Sequence, residues 1–119
     1  MAQAVPPWVW GICIREHGPR SSTARLVLFA LRSFMDSNGD AYPSQARIAR
    51  AACLSEKTVQ PIIKALSARG EQWLAVQRHD IPGQAWKRFS YRPCVPDRID
   101  LSKYEDLVAA HVRVNGDVE

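Results

Sequence analysis

The spacing of apolar positions divides the chain into segments. From Val27 to Phe34 apolar residues recur every three or four positions: Val27, Ala30, Leu31 and Phe34 form one stripe, widened by Leu26, Leu28 and Met35. Ser21-Ser22-Thr23 offer hydroxyls that cap such a helix, so the pattern predicts a helix running roughly to Asp36. Ser37-Asn38-Gly39-Asp40 is a turn by composition. The helical spacing then resumes in two shorter blocks. Ile48, Ala49 and Ala52 follow the capping residue Ser44, and Val59, Ile62, Ile63 and Leu66 follow the capping residue Ser55. Leu54 fills the turn between them, and Gly70 is the expected left-handed stop. After Gly70 the period becomes two. Leu74 and Val76 alternate with Ala75 and Gln77, and Phe89 and Tyr91 alternate with Arg88 and Ser90. The turn cluster Asp80-Ile81-Pro82-Gly83-Gln84 lies between them. This predicts a β-hairpin with Leu74, Val76, Phe89 and Tyr91 facing the core.

The two ends read less simply. Trp8 and Ile12, and Val9 and Cys13, pair at i,i+4 between Pro6-Pro7 and His17-Gly18-Pro19. A strand competes, because Val9, Gly11 and Cys13 also alternate with Trp10, Ile12 and Ile14. The helix is favoured. At the other end Leu101, Tyr104, Leu107, Val108 and His111 predict a short helix that Asn115-Gly116 would stop. The expected division is an N-terminal extension over 1–20, a domain over 21–95 and a helical tail over 96–119. Both extensions are apolar enough to need burial, on their own domain or on a second copy of the chain.

Two capped helices joined by so short a turn form a helix-turn-helix. Ala49 is small where the two axes cross. Val59 and Ile62 pack inward, which leaves Ser55, Glu56, Lys57, Gln60, Pro61 and Lys64 facing out. A hairpin following such a pair is a wing. The stretch from Leu26 to Gly70 resembles the winged helix-turn-helix domains of bacterial, phage and plasmid proteins. Tyr42, Pro43, Ser44, Ala49, Leu54, Ser55, Thr58, Val59 and Gly70 carry the resemblance. It implies a mainly α fold with a small hairpin, here with N- and C-terminal helical extensions. It also implies a DNA-binding protein, either a transcriptional regulator or a phage or plasmid replication accessory protein. In such a motif the outer N-terminal side of the second helix enters the major groove. Ser55, Lys57, Thr58, Gln60 and Lys64 would lie nearest the DNA. Arg47 and Arg50 on the preceding helix, and Arg78, Lys87 and Arg88 on the wing, would hold phosphates. Arg92 adds to the wing's charge.

The sequence departs from the family pattern twice. Cys53 stands where the family has glycine, and a Cβ at a positive φ costs about 1 kcal/mol. Pro61 removes an internal hydrogen bond from the second helix and is expected to kink it.

Charge supports an anionic partner. Residues 1–95 hold 13 basic and 6 acidic side chains, while residues 96–119 hold 3 and 6, for a total of +4. Cys13, Cys53 and Cys94 have no metal-ligand spacing and read as reduced thiols, mostly small buried hydrophobes. Asp36, Asn38 and Asp40 suggest a calcium loop, but the twelfth position lacks Glu and Pro43 interrupts the run, so a structural loop is expected. His17, His79 and His111 are scattered, and no nucleophile, metal or phosphate-loop motif is present. No enzyme activity and no cofactor are expected. No apolar run spans a bilayer and no export signal is evident, so a cytoplasmic protein without a membrane partner is expected. The expected partners are double-stranded DNA and a second copy of the chain. Glu56 and Pro61 keep a rival reading open: a protein-binding winged helix of a mobile element that inhibits or recruits a host complex, such as a counter-defence protein.

Overall fold

The computed structural model describes residues 2–80, 83 and 87–105. Helix α2 (Ser22–Ser33) starts where Ser21 Oγ accepts the Ala24 N–H at 3.2 Å. It buries Ala24, Val27, Leu28, Ala30 and Leu31. Leu26 is 50% exposed, so the buried stripe is narrower than the sequence suggests; Leu26 and Phe29 lie on the side of α2 left to solvent. The helix stops at Ser33, short of Asp36. Asp36 instead organises the next loop, its Oδ1 accepting the N–H groups of Asn38 and Asp40 at 2.9 and 3.0 Å. Gly39 closes that loop at φ 85°, with Pro93 so near that a Cβ would lie 3.1 Å from its Cδ.

Helix α3 (Gln45–Ala52) is capped by Ser44, whose Oγ accepts the Arg47 N–H. Helix α4 (Glu56–Leu66) is capped by Ser55 in the same way through Thr58 N–H. Between them Cys53 adopts the left-handed conformation, φ 57° and ψ 42°. The left-handed turn is therefore made with a side chain in place. Leu54 N–H donates to Ala49 O at 2.9 Å and completes the turn. α4 is one helix through Pro61, burying Val59, Ile63 and Leu66 and half-burying Ile62. It ends at Leu66 with Ser67 as its cap, so Gly70 is not its stop. Gly70 has a φ of 103°, but it turns the loop that follows.

Strands β2 (Leu74–Asp80) and β3 (Lys87–Val95) pair antiparallel from Leu74↔Pro93 to Asp80↔Lys87. β1 (Gln3–Ala4) joins the other edge of β3 through Gln3↔Val95 and Ala4↔Cys94, giving the order β1-β3-β2. Ala41 bridges Tyr91 on that same edge. Leu74 and Tyr91 are buried as expected. Val76 and Phe89 are not: they are 37% and 39% exposed. The alternation identified their face correctly, since Val76 pairs with Tyr91 and Phe89 with Arg78. The hairpin runs out beyond the helices that would cover them.

The N-terminal segment is a helix, α1 (Pro7–His17), and it belongs to the core. Val9, Trp10, Cys13 and Ile14 are buried, while Trp8 and Ile12 are half-buried. The Trp10 indole N–H reaches two carbonyls, Trp73 O and Cys94 O, each at 3.0 Å. Trp10 is thus consumed within its own chain and offers nothing to a second copy. Arg25 Nε donates to Pro19 O at 2.7 Å and ties α2 to the end of α1. Beyond the sheet, Arg98 pairs with Glu71 and donates to His17 O, and Tyr104 Oη donates to Glu16 Oε2 at 2.7 Å. A short 3-10 helix, Leu101–Tyr104, is capped by Asp100. Leu107, Val108 and His111, the rest of the expected C-terminal helix, lie outside the described residues.

Candidate nucleic-acid interface

The outward side of α4 is polar because its inward side is fixed by burial. Val59, Ile63 and Leu66 occupy the core, so Lys57, Gln60, Pro61 and Lys64, at i, i+3, i+4 and i+7, share the solvent side. Glu56, Lys57, Thr58, Gln60, Pro61 and Lys64 are all exposed. Ser55 Oγ lies 2.9 Å from Thr58 Oγ1, so these two hydroxyls are already partnered within the cap. They stabilise the start of α4 and leave Lys57, Gln60 and Lys64 as its outward-reaching groups. Pro61 has no N–H, so the Lys57 carbonyl lacks its normal helical donor on this outer side.

Arg47 and Arg50 are exposed on α3, one turn apart. The Arg47 guanidinium lies 4.9 Å from the centre of the Phe34 ring. On the wing, Arg78 and Arg88 are exposed. Arg78 is opposite Phe89, Arg88 is opposite His79, and Lys87 is opposite Asp80. The side chain of Lys87 lies outside the described residues. The Arg88 guanidinium sits 4.9 Å from the centre of the Tyr42 ring. Arg92 behaves differently, because its Nε meets Asp40 Oδ1 at 3.0 Å, which neutralises it locally. The candidate residues therefore come from α3, α4 and the two wing strands, and Phe34 and Tyr42 each seat one arginine, Arg47 of α3 and Arg88 of β3. Sequence reading missed Phe34 and Tyr42 as seats for arginine; the only signal was an aromatic residue beside each helix boundary.

Arg98 bonds to Glu71 and draws its carboxyl below the usual carboxylate range. His79 Nε2 and Ser90 Oγ are 2.8 Å apart across the two wing strands. Among the described residues no three His, Cys, Asp or Glu side chains are grouped to hold a metal. A groove of about 870 Å³ lies on the outer face of the sheet, lined in part by Ala4, Ala75, Arg92 and Cys94, with no α4 side chain in its wall. Among the described residues no helix is long and apolar enough to cross a membrane.

No curated protein and no solved structure matches the chain. Residues 21–70 match the family described as helix-turn-helix domain. That span begins at the cap of α2 and ends at the glycine after α4, so it covers the three helices and stops before the hairpin. Residues 21–70 are thus similar to a helix-turn-helix domain in sequence and fold as one, with the hairpin wing and helix α1 built onto it.

Proposed function

We propose that the chain binds double-stranded DNA with α4 in the major groove and acts as a transcriptional regulator or a replication accessory protein of a bacterium or mobile element. The observation that carries this reading is the outward side of α4, where Lys57, Gln60 and Lys64 stand exposed on a helix whose other side is core. Gln60 is suited to adenine, since a side-chain amide can pair with its N6 and N7. Arg47, Arg50, Arg78, Lys87 and Arg88 orient the module on phosphates without reading sequence. A homodimer on two half-sites would raise the affinity of so small a module. In this reading the protein is cytoplasmic, needs no cofactor and is not an enzyme.

A second reading has its own support. Val76 and Phe89 on the wing, and Leu26 and Phe29 on α2, are large exposed hydrophobics, and Glu56 and Pro61 share the outward side of α4. These favour a protein partner, such as a host complex that a mobile element inhibits or recruits. Titrating labelled mixed-sequence duplex DNA across about 50 to 200 mM salt separates the two readings. DNA binding through about five to seven of the named cations gives a slope of log affinity on log salt of roughly −4.5 to −6.3. Absence of salt-dependent binding removes the DNA reading and leaves the protein partner.

A further inference from the structure

Tyr42 is exposed on one side of the ring and occupied on the other. It is 47% exposed, and the Arg88 guanidinium lies over it at 4.9 Å from the ring centre. Its backbone is held from both directions. Ala41, just before it, exchanges two hydrogen bonds with Tyr91: Ala41 N–H donates to Tyr91 O at 3.1 Å, and Tyr91 N–H donates to Ala41 O at 2.9 Å. Pro43 follows with φ fixed by its ring, and Ser44 caps α3. The Ala41↔Tyr91 bridge puts Tyr42 beside β3 on the same sheet face as Ser90 and Arg88, since side chains alternate along a strand. A ring rooted at the start of the helix-turn-helix therefore carries a guanidinium rooted in the wing.

A free arginine on a hairpin samples many rotamers, and ordering it on a phosphate costs conformational entropy. Stacking removes much of that freedom in advance and leaves the N–H edge of the guanidinium open to an anion. We infer that Tyr42 is a positioning residue for nucleic-acid binding: it holds Arg88 at a set place relative to the helix-turn-helix so that the wing meets a backbone phosphate in register with α4. This rests on the DNA-binding reading above and adds a residue to it that touches no base and carries no charge.

The test measures affinity for mixed-sequence duplex DNA against salt for the full chain and for Arg88→Ala, Tyr42→Ala, Tyr42→Phe and the double variant Tyr42→Ala/Arg88→Ala. Arg88→Ala should flatten the log–log salt slope by roughly 0.9, the worth of one phosphate contact. Tyr42→Ala should flatten it in the same direction although no charge has been removed, and the double variant should be no flatter than Arg88→Ala. Tyr42→Phe keeps the ring and should keep the wild-type slope. Melting curves check that the variants are folded. A wild-type slope in Tyr42→Ala overturns the inference while leaving the DNA reading intact. So does an unchanged slope in Arg88→Ala, or a loss in Tyr42→Phe equal to that in Tyr42→Ala. No salt-dependent binding by the wild type overturns both.

Discussion

The indole N–H of Trp10 donates to the carbonyl of Trp73, 63 residues further along the chain, at 3.0 Å. The same N–H also reaches Cys94 O at 3.0 Å, so one side chain of α1 ties the start of β2 to the end of β3. Trp10 has no exposed surface.

Removing this lock should be costly in two separable parts. Trp10→Phe keeps an apolar ring but leaves two buried carbonyls without that donor, which costs about 1–3 kcal/mol. Trp10→Ala adds a large cavity and should cost at least about 3–5 kcal/mol. Urea denaturation followed by circular dichroism measures both. Equal stability of Trp10→Phe and wild type would show that the shared hydrogen bond contributes nothing.

Cys53 carries backbone strain in the turn between α3 and α4. At φ 57° a Cβ costs roughly 1–2 kcal/mol, partly offset by the extra freedom that glycine has in the unfolded chain. Cys53→Gly should therefore raise stability by up to about 1 kcal/mol, and Cys53→Val should lower it. Thermal melts of the three proteins decide this. A lower melting temperature for the glycine variant would mean that the exposed thiol side chain contributes something the turn needs.

The three thiols should differ sharply in reactivity. Cys53 is exposed, whereas Cys13 and Cys94 are buried. Burial pushes the Cys94 thiol up to about 11 and raises that of Cys13 as well. A thiol reagent near pH 8 should modify one cysteine per folded chain quickly and all three only after denaturation. Fast modification of Cys94 in the native protein would contradict the packing of β1 against β3.

Glu71 links stability to acid. Its hydrogen bond from Arg98 lowers its folded pKa below the ordinary 4.5, so the stabilisation is present above that value and is lost as pH falls through the folded pKa. Both partners are solvent-exposed, so the contribution is at most about 1 kcal/mol. Arg98→Ala should lower the melting temperature near pH 7 and have less effect near pH 2. The lost bond from Arg98 to His17 O should persist as a pH-independent remainder.

Specificity and affinity should separate on α4. Gln60→Ala should lose about 1–3 kcal/mol of discrimination on a selected site and little on random duplex. Lys57→Ala and Lys64→Ala should weaken both. Arg92→Ala should change the salt slope less than Arg88→Ala, because Asp40 already neutralises Arg92. Titrations against a selected and a scrambled duplex make the comparison. Equal losses on both sequences for Gln60→Ala would exclude it from base reading.

How much of this was legible in the sequence depends on the range of the interaction involved. Ser21, Ser44 and Ser55 were visible as caps because each hydroxyl bonds a backbone N–H three residues away. The stop of α4 was misplaced at Gly70, since a positive-φ glycine marks a turn but need not be adjacent to the helix end. Val76 and Phe89 were given the correct face and the wrong depth: alternation reports orientation, while burial depends on what lies across from the strand. Of the candidate site, the outward side of α4 followed from its own periodicity. The seat of Arg88 on Tyr42 did not, because the two residues meet only through the pairing of β3 with Ala41.

The short strand β1 has a consequence for how the molecule is made. Gln3 and Ala4 find their partners only at Val95 and Cys94, and Trp10 finds its acceptors only at Trp73 and Cys94. The helices over 22–66 contact one another across short sequence distances and can form early. During synthesis at about 5–20 residues per second, β1 and the Trp10 indole therefore wait on the order of ten seconds before their partners exist. Residues 3–10 are made well before the partners that complete their place in the fold, so slowing translation before Cys94 should lengthen the interval in which a chaperone can hold the nascent chain.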